Sequence, residues 1–455
     1  MFLQVLERIR VAFAPIGWIV QWVGLAMLPW YQAQASEVEE ATARMQLTYN
    51  WQYHPAYQAA YSGPNSVVSN GEKMYTFSTT AFLGFRPWEG GEAYLTPEII
   101  QGVPFSDRMI GLAGFTNGES TRAAGTTPKI YRQKLFVRQT WNDGGGTERV
   151  DAGLNQLAGS VDKNRFVLTV GNFSTLDIFD GNKYAKDPRT QFMNWGNFTY
   201  AAYDYAADAR GFGWGFAAER YLDDWVVRFG RMTGPKQPNM LPVDFALNKH
   251  YGDQLELEHD HVLYGLPGSV RVLGWRNRAR LASFNDALDW LNAHPGKYLG
   301  PDALYAVRGT ERIKYGLGVN VEQAISNNAG FFMRAMKADG RTETHAFTEA
   351  DGSLATGLAI RGGSWNRTED TLGLSLMRNT ISDDRRRFLE AGGTSFFLGD
   401  SALRYRSENI FEGYYSIGIK KGVWLTTDYQ RVQNPAYNAD RGPINVYAIR
   451  LHAEL

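Results

Sequence analysis

The guanidinium of arginine presents a rigid fork of donors to carboxylates and hydroxyls and keeps its charge at any ordinary pH. Arg138, Arg228, Arg334 and Arg361 each sit on or beside a stretch in which apolar and polar residues alternate. If Trp225, Val227 and Phe229 face lipid, then Arg228 faces the other way; Phe331, Met333 and Ala335 do the same for Arg334. A lipid-facing arginine near the bilayer midplane costs about 2–4 kcal/mol, so inward placement wins. An inward arginine need not touch cargo, because Glu256, Glu258 and Glu322 are available as wall partners. Catalytic patterns are absent: there is no P-loop, no G-x-G-x-x-G after a strand and no G-x-S-x-G. His259 and His261 would share one strand face with no third metal ligand in view. No acidic pair has a spacing that singles it out for glycoside hydrolysis. The expectation is neither an enzyme nor a cofactor protein.

The elements that would position these side chains are strands. The clearest is 44–53, with Met45, Leu47, Tyr49, Trp51 and Tyr53 on one face and Arg44, Gln46, Thr48, Asn50 and Gln52 on the other. That period of two belongs to a β-strand. It returns at 314–322 and 211–218, and more weakly at 165–171, 225–231, 353–360, 371–377 and 423–430. Soluble sandwiches alternate too, but here the segments approach ten residues, the length a tilted strand needs to cross a bilayer. Their polar faces carry full charges, and aromatics gather at their ends, as interfacial girdles require. The chain closes on Tyr447, Ile449, Leu451, Ala453 and Leu455 alternating with polar residues, a strand fit to pair with the first. Closure is obligatory because lipid cannot satisfy an open edge.

Composition agrees. The 455 residues hold 47 Lys+Arg and 47 Asp+Glu, no Cys, 48 Gly and 14% aromatics. Zero net charge excludes the basic footprint of a nucleic-acid binder, and without Cys there is neither a disulfide nor a thiolate metal site. Arg8 and Arg10, the apolar run 11–30 and Ala33-Gln34-Ala35 read as a secretory signal cleaved before Ser36, with an uncleaved anchor as the rival. The expected organisation is a signal at 1–35 and one all-β transmembrane antiparallel barrel, an up-and-down meander, at 36–455. At about 25 residues per strand and connection, this makes roughly sixteen strands. The connections 173–205 and 277–312 are long, the latter with a short helix near 283–293, and such loops face the exterior or fold into the pore.

Several strings resemble the carbohydrate-selective porin family, often called the OprB family. They are His54-Pro55-Ala56 through Tyr61-Ser62-Gly63-Pro64-Asn65-Ser66; Gly171-Asn172-Phe173; Asp177-Ile178-Phe179-Asp180-Gly181-Asn182; Asp187-Pro188-Arg189-Thr190-Gln191-Phe192-Met193-Asn194-Trp195; Tyr203-Asp204-Tyr205-Ala206-Ala207-Asp208-Ala209-Arg210-Gly211; and Asn434-Pro435-Ala436-Tyr437-Asn438-Ala439-Asp440-Arg441-Gly442-Pro443. They are spread in order over most of the chain. The resemblance implies a sixteen-stranded barrel with a constricted polar pore, through which monosaccharides such as glucose diffuse into the periplasm. Asp180, Asp187, Arg189, Trp195, Asp204, Asp208 and Arg210 lie in matching strings and are pore-lining candidates, joined by Arg228 and Arg334 from strand parity. Carboxylates and guanidinium forks meet sugar hydroxyls, and flat rings meet C–H faces, but binding must stay weak for cargo to leave. Each of these residues is equally suited to fixing a loop: Asp180-Gly181 and Asp187-Pro188 are ordinary turn dipeptides, and Asp440-Arg441-Gly442-Pro443 is better read as a turn.

Other cargo remains open, namely organic acids or a polysaccharide under export, as does a soluble periplasmic or secreted glycan-binding protein. Excess inward Arg and Lys would favour anions, while mixed charge with aromatics favours neutral sugars. The expected partners are sugars in transit and outer-membrane lipid and lipopolysaccharide, with no nucleic acid; a monomer and a homotrimer both fit the pattern.

Overall fold

The computed structural model describes residues 38–455 except 124, 296–301 and 348, so the expected signal at 1–35 lies outside the described residues. The strands are β1 (Ala41–His54), β2 (Glu72–Phe85), β3 (Gly91–Val103), β4 (Gly125–Asn142), β5 (Thr147–Val150), β6 (Gly159–Asp162), β7 (Arg165–Phe173), β8 (Gly213–Leu222) and β9 (Trp225–Met232). They continue as β10 (Tyr251–Leu263), β11 (Leu266–Arg280), β12 (Glu311–Ala324), β13 (Ala329–Ala338), β14 (Gly352–Gly362), β15 (Arg367–Thr380), β16 (Glu408–Lys420), β17 (Val423–Gln433) and β18 (Ile444–Glu454). All but β5 and β6 form one closed barrel, each strand beside its sequence neighbour, with β4 meeting β7 across the β5–β6 hairpin. The closing seam is antiparallel, from Gln46 opposite Glu454 to Tyr53 opposite Tyr447. This is the antiparallel barrel expected from the alternation, with the sixteen strands expected from the chain's length.

Burial is inverted relative to a soluble protein. In β1, Gln46, Thr48, Asn50, Gln52 and His54 are buried, while the alternating Met45 to Tyr53 face is half-exposed. Leu257, Leu317 and Leu376 stand outward at 43%, 59% and 61% exposure. Polar side chains point into the barrel and apolar ones into lipid, where no water could satisfy a polar group.

The two rims differ. One carries the β5–β6 hairpin and otherwise brief turns, such as Tyr264-Gly265, whose positive φ values of 52° and 78° suit a two-residue hairpin. The other carries the connections 55–71, 104–124, 174–212, 233–250, 281–310, 339–351, 381–407 and 434–443. Within 281–310 the helix Phe284–Ala293 starts on Ser283, which accepts from the Asp286 amide.

Segments 104–124 and 174–212 enter the barrel, and connection 339–351 packs against them through Phe347. Segment 104–124 is held by Gln430 Nε2 donating to the Thr116 carbonyl (2.8 Å) and by the Ala113 and Gly114 amides donating to Glu408 (3.1 and 2.8 Å). Segment 174–212 spans the lumen from β10 and β12 to β18. Its Gly118 contact is direct, the Gly118 amide donating to the Met193 carbonyl at 2.9 Å. Between these segments lies an aromatic core of Phe115, Trp195, Phe198, Tyr203, Tyr205 and Phe347. The barrel therefore has a packed interior supplied by its own loops.

Candidate transport pathway

Segment 174–212 is shaped first by its own turns. Ser174 and Asp177 form a capping box. Asp187 accepts from the Arg189 amide (2.9 Å) and the Thr190 hydroxyl (3.3 Å), and Asp208 accepts from the amides of Arg210 (2.9 Å) and Phe212 (3.1 Å). Burial raises the Asp208 carboxyl above the usual range. Short acidic side chains close these turns by bonding to nearby backbone amides.

The turns are then fastened to the wall. Arg334 on β13 donates through Nε to Asp180 Oδ1 (2.8 Å) and through Nη1 to the Asn197 carbonyl (2.6 Å), with both charged side chains fully buried. Asn320 Nδ2 donates to the same carboxylate at 2.6 Å, and the Asp180 amide donates to Glu256 at 2.8 Å. Glu412 on β16 takes the Met193 amide (2.5 Å) and Asn197 Nδ2 (2.6 Å). Arg450 on β18 donates to the Gln191 and Pro188 carbonyls at 2.7 and 2.9 Å. Asp204 is held by Lys314 Nζ (2.8 Å) and the amides of His345 and Ala346 (2.9 and 2.6 Å). Arg228 faces inward but belongs to the wall, paired with Glu219 (3.0 Å), Glu256 (3.0 Å) and Glu258 (2.5 Å).

What remains open lies between this segment and the β1–β4 wall. A cavity of about 440 Å³ runs from Gln156 and Arg138 near the short-turn rim to Arg210 and Phe212 on the long-loop side. Asp187, Arg189, Trp195 and Arg210 line it; Asp180, Asp204, Arg228 and Arg334 do not, and Asp208 lines a smaller neighbouring cavity with Arg210. A second cavity of about 540 Å³ lies under the inner segment at the short-turn end, between Tyr184, Arg361, Trp424 and His452. Arg189 borders both.

The charges in the corridor are largely compensated. Arg189 bridges Glu119 and Glu98, each at 2.6 Å, and Arg122 shares the same two carboxylates at 3.0 and 3.3 Å. Tyr131 and Gln133 also donate to Glu98. Lys134 pairs with Asp177 (2.7 Å) and Arg138 with Glu92 (3.2 Å). Arg210 lies over the Tyr131 ring at 4.3 Å and makes no ion pair among the described residues. Lys186 donates to the carbonyls of Asp180 (2.8 Å) and Phe179 (3.0 Å), and burial lowers its ammonium to about 8. Trp195, stacked parallel to Tyr205 at 6.4 Å, borders the cavity with Phe198 and Phe212, but all three rings are buried. The pairing matters because unpaired like charges on a narrow wall would set up a field that selects ions.

Glu98, Arg122, Lys134 and Lys186 were not singled out from the sequence. Parity could have found Glu98 and Lys134, since a carboxylate or ammonium near the middle of a strand must face inward. Arg122, Glu119 and Lys186 sit on loops, where no period reveals direction. His259 stacks on Trp225 at 4.3 Å and His261 Nε2 meets Gln323 Oε1 at 2.9 Å.

The fold is similar to that of Pseudomonas putida OprB. Its high-pH structure aligns with a TM-score of 0.65 at 14% identity, covering 91% of this chain and 94% of that one. Its low-pH structure aligns at 0.50 and 10% identity, covering 91% and 93%. No curated protein sequence matches the chain. The family model described as carbohydrate-selective porin, OprB family, matches residues 83–455. A closed barrel with polar residues inside, an inner segment narrowing it and a family match over most of its length lead to one assignment: the chain belongs to the carbohydrate-selective porin, OprB, family.

Proposed function

We propose that this outer-membrane sugar porin passes small neutral sugars by diffusion along the corridor between segment 174–212 and the β1–β4 wall, as a channel and not an enzyme. The observation that carries this reading is the corridor's lining of cations tied to carboxylates. A neutral polyol exchanges water hydrogen bonds for bonds to Arg122, Arg189 and Asp187 along the corridor. Because those guanidiniums and carboxylates already satisfy one another, none is left to bind cargo tightly, which transport requires. Arg210 makes no ion pair among the described residues and shares the neighbouring cavity with Asp208. Asp180, Asp204, Arg228 and Arg334 act one step back, holding the inner segment and the wall that set the corridor's width; Asp187 and Asp208 shape its turns.

Liposome swelling with purified protein tests the reading, comparing glucose, a disaccharide and an amino acid of glucose's size. Fast swelling with glucose and clearly slower swelling with the amino acid is expected. Equal rates would make this a general porin, and no swelling from folded, inserted protein would overturn the open corridor.

A further inference from the structure

The outward face of β9–β12 carries a feature that sugar passage does not use. Viewed from the short-turn rim toward the long-loop rim, it first shows lipid-facing rows: Leu257 stands between Val227 and Val272, and Leu255 between Phe229 and Gly274. The character then changes. Asp253 lies between Arg231 and Arg276, and beyond it Arg278 stands opposite Tyr251 and Arg280 opposite Glu311. Arg231 pairs with Asp253 at 2.7 Å and Arg276 with the same carboxylate at 2.9 Å, while Arg278 pairs with Glu311 at 2.5 Å. Three guanidiniums thus share two carboxylates, and Arg280 adds a fourth cation to the patch. The Arg276 and Arg278 side chains remain 52% and 39% exposed, and Arg280 is exposed with no ion pair among the described residues.

Charge of this kind on a lipid-facing surface is tolerable only at the membrane interface, where the cost of an arginine falls to about 0–1 kcal/mol. Tyr251 and Tyr315 on the same face mark that level, as interfacial aromatics do. Longer connections belong to the external side of such barrels, so the patch meets head groups of the outer leaflet. Arg276, Arg278 and Arg280 share one face of β11, stepping about 7 Å per pair of residues. Just beneath Arg276 the apolar wall has a notch. Gly274 lies between Leu255 and Leu317, and a Cβ there would meet only Leu317 Cδ1 at 3.9 Å. Guanidiniums spaced along a ladder suit more than one phosphate, and an open notch between two leucines suits an acyl chain.

We propose that the outward Arg276–Arg280 ladder of β11 binds a lipid bearing two phosphates, a bis-phosphorylated glycolipid of the outer leaflet, with one acyl chain lying over Gly274. This rests on the outer-membrane placement of the barrel but is independent of its cargo. Native mass spectrometry of the detergent-purified full chain, titrated with lipid A, monophosphoryl lipid A or phosphatidylglycerol, tests it. The expected order is lipid A tightest, with the R276Q/R278Q/R280Q variant at least about tenfold weaker and G274L, which leaves every charge in place, also weakened. Heat-modifiable gel mobility and glucose swelling of the same preparations, both expected to be unchanged, report folding and transport separately. If the arginine variant misfolds, G274L and the lipid series still decide. Equal affinity in both variants, indifference to phosphate number, or inorganic pyrophosphate binding as tightly as lipid A would overturn the proposal. So would a variant that turns an oligomer into monomers, since the face would then be a subunit contact.

Discussion

Lys186 shows how a single side chain carries the pathway's electrostatics. Its ammonium lines the corridor, bonds only to main-chain carbonyls among the described residues, and is held by burial to about 8. The usual lysine value is about 10.4, so the folded protein releases this proton well before a solvated lysine would. The sign follows directly: below about 8 the corridor carries the extra positive charge, and above it does not. Reversal potentials in a KCl gradient should therefore move toward lower anion preference as pH rises through about 8, and K186M should remove that step. At 1 M salt, where the Debye length is about 3 Å, the step should shrink. A pH-independent reversal potential in the wild type would refute the assignment of Lys186 to the open corridor.

At the scale of elements, the decisive unit is segment 174–212 and its clamps. Arg334 and Asp180 are fully buried, and each takes further bonds that a lone charge could not replace. Removing one partner of such a pair costs about 3–5 kcal/mol because the other charge is left uncompensated. Arg334→Met should therefore loosen the inner segment within a barrel that still forms, seen as larger and noisier single-channel currents with an unchanged heat-modifiable shift. The double variant D180N/R334M should recover part of the loss, since neither charge is then stranded. Unchanged currents in Arg334→Met would mean that this clamp does not set the corridor's width. The clamp was half legible beforehand: parity directs Arg334 inward, but nothing in its own stretch names Asp180, 154 positions away, as its partner.

For the whole molecule, stability depends on keeping charge off the lipid face and edges out of lipid. Leu257 lies outward at the middle of β10, 43% exposed, with Val227 and Val272 beside it. Leu257→Arg should destabilise the barrel by about 2–4 kcal/mol, measured by denaturant unfolding in lipid vesicles. The same substitution near Tyr251 should cost far less, because the interface hydrates the charge. A negligible cost at 257 would mean that this face does not meet the hydrocarbon core.

The alternation of side chains is local, and the chain states it without help: Met45 to Tyr53 alternate because a strand separates two solvents, and that pattern determined the barrel and the inward direction of Arg228 and Arg334, while chain length set the strand number. The helix at Phe284–Ala293 was equally legible, through its Ser283 cap. What the tertiary structure decided is which charges stay open. Arg189 reads alone as a sugar-binding fork, yet Glu98, 91 positions away, and Glu119, 70 away, neutralise it. Asp187 and Asp208 close turns, whereas Arg210 and Lys186 make no ion pair among the described residues. Periodicity fixes the face on which a side chain lies, while the net charge it contributes depends on partners brought together only when the barrel closes and its loops fold inward.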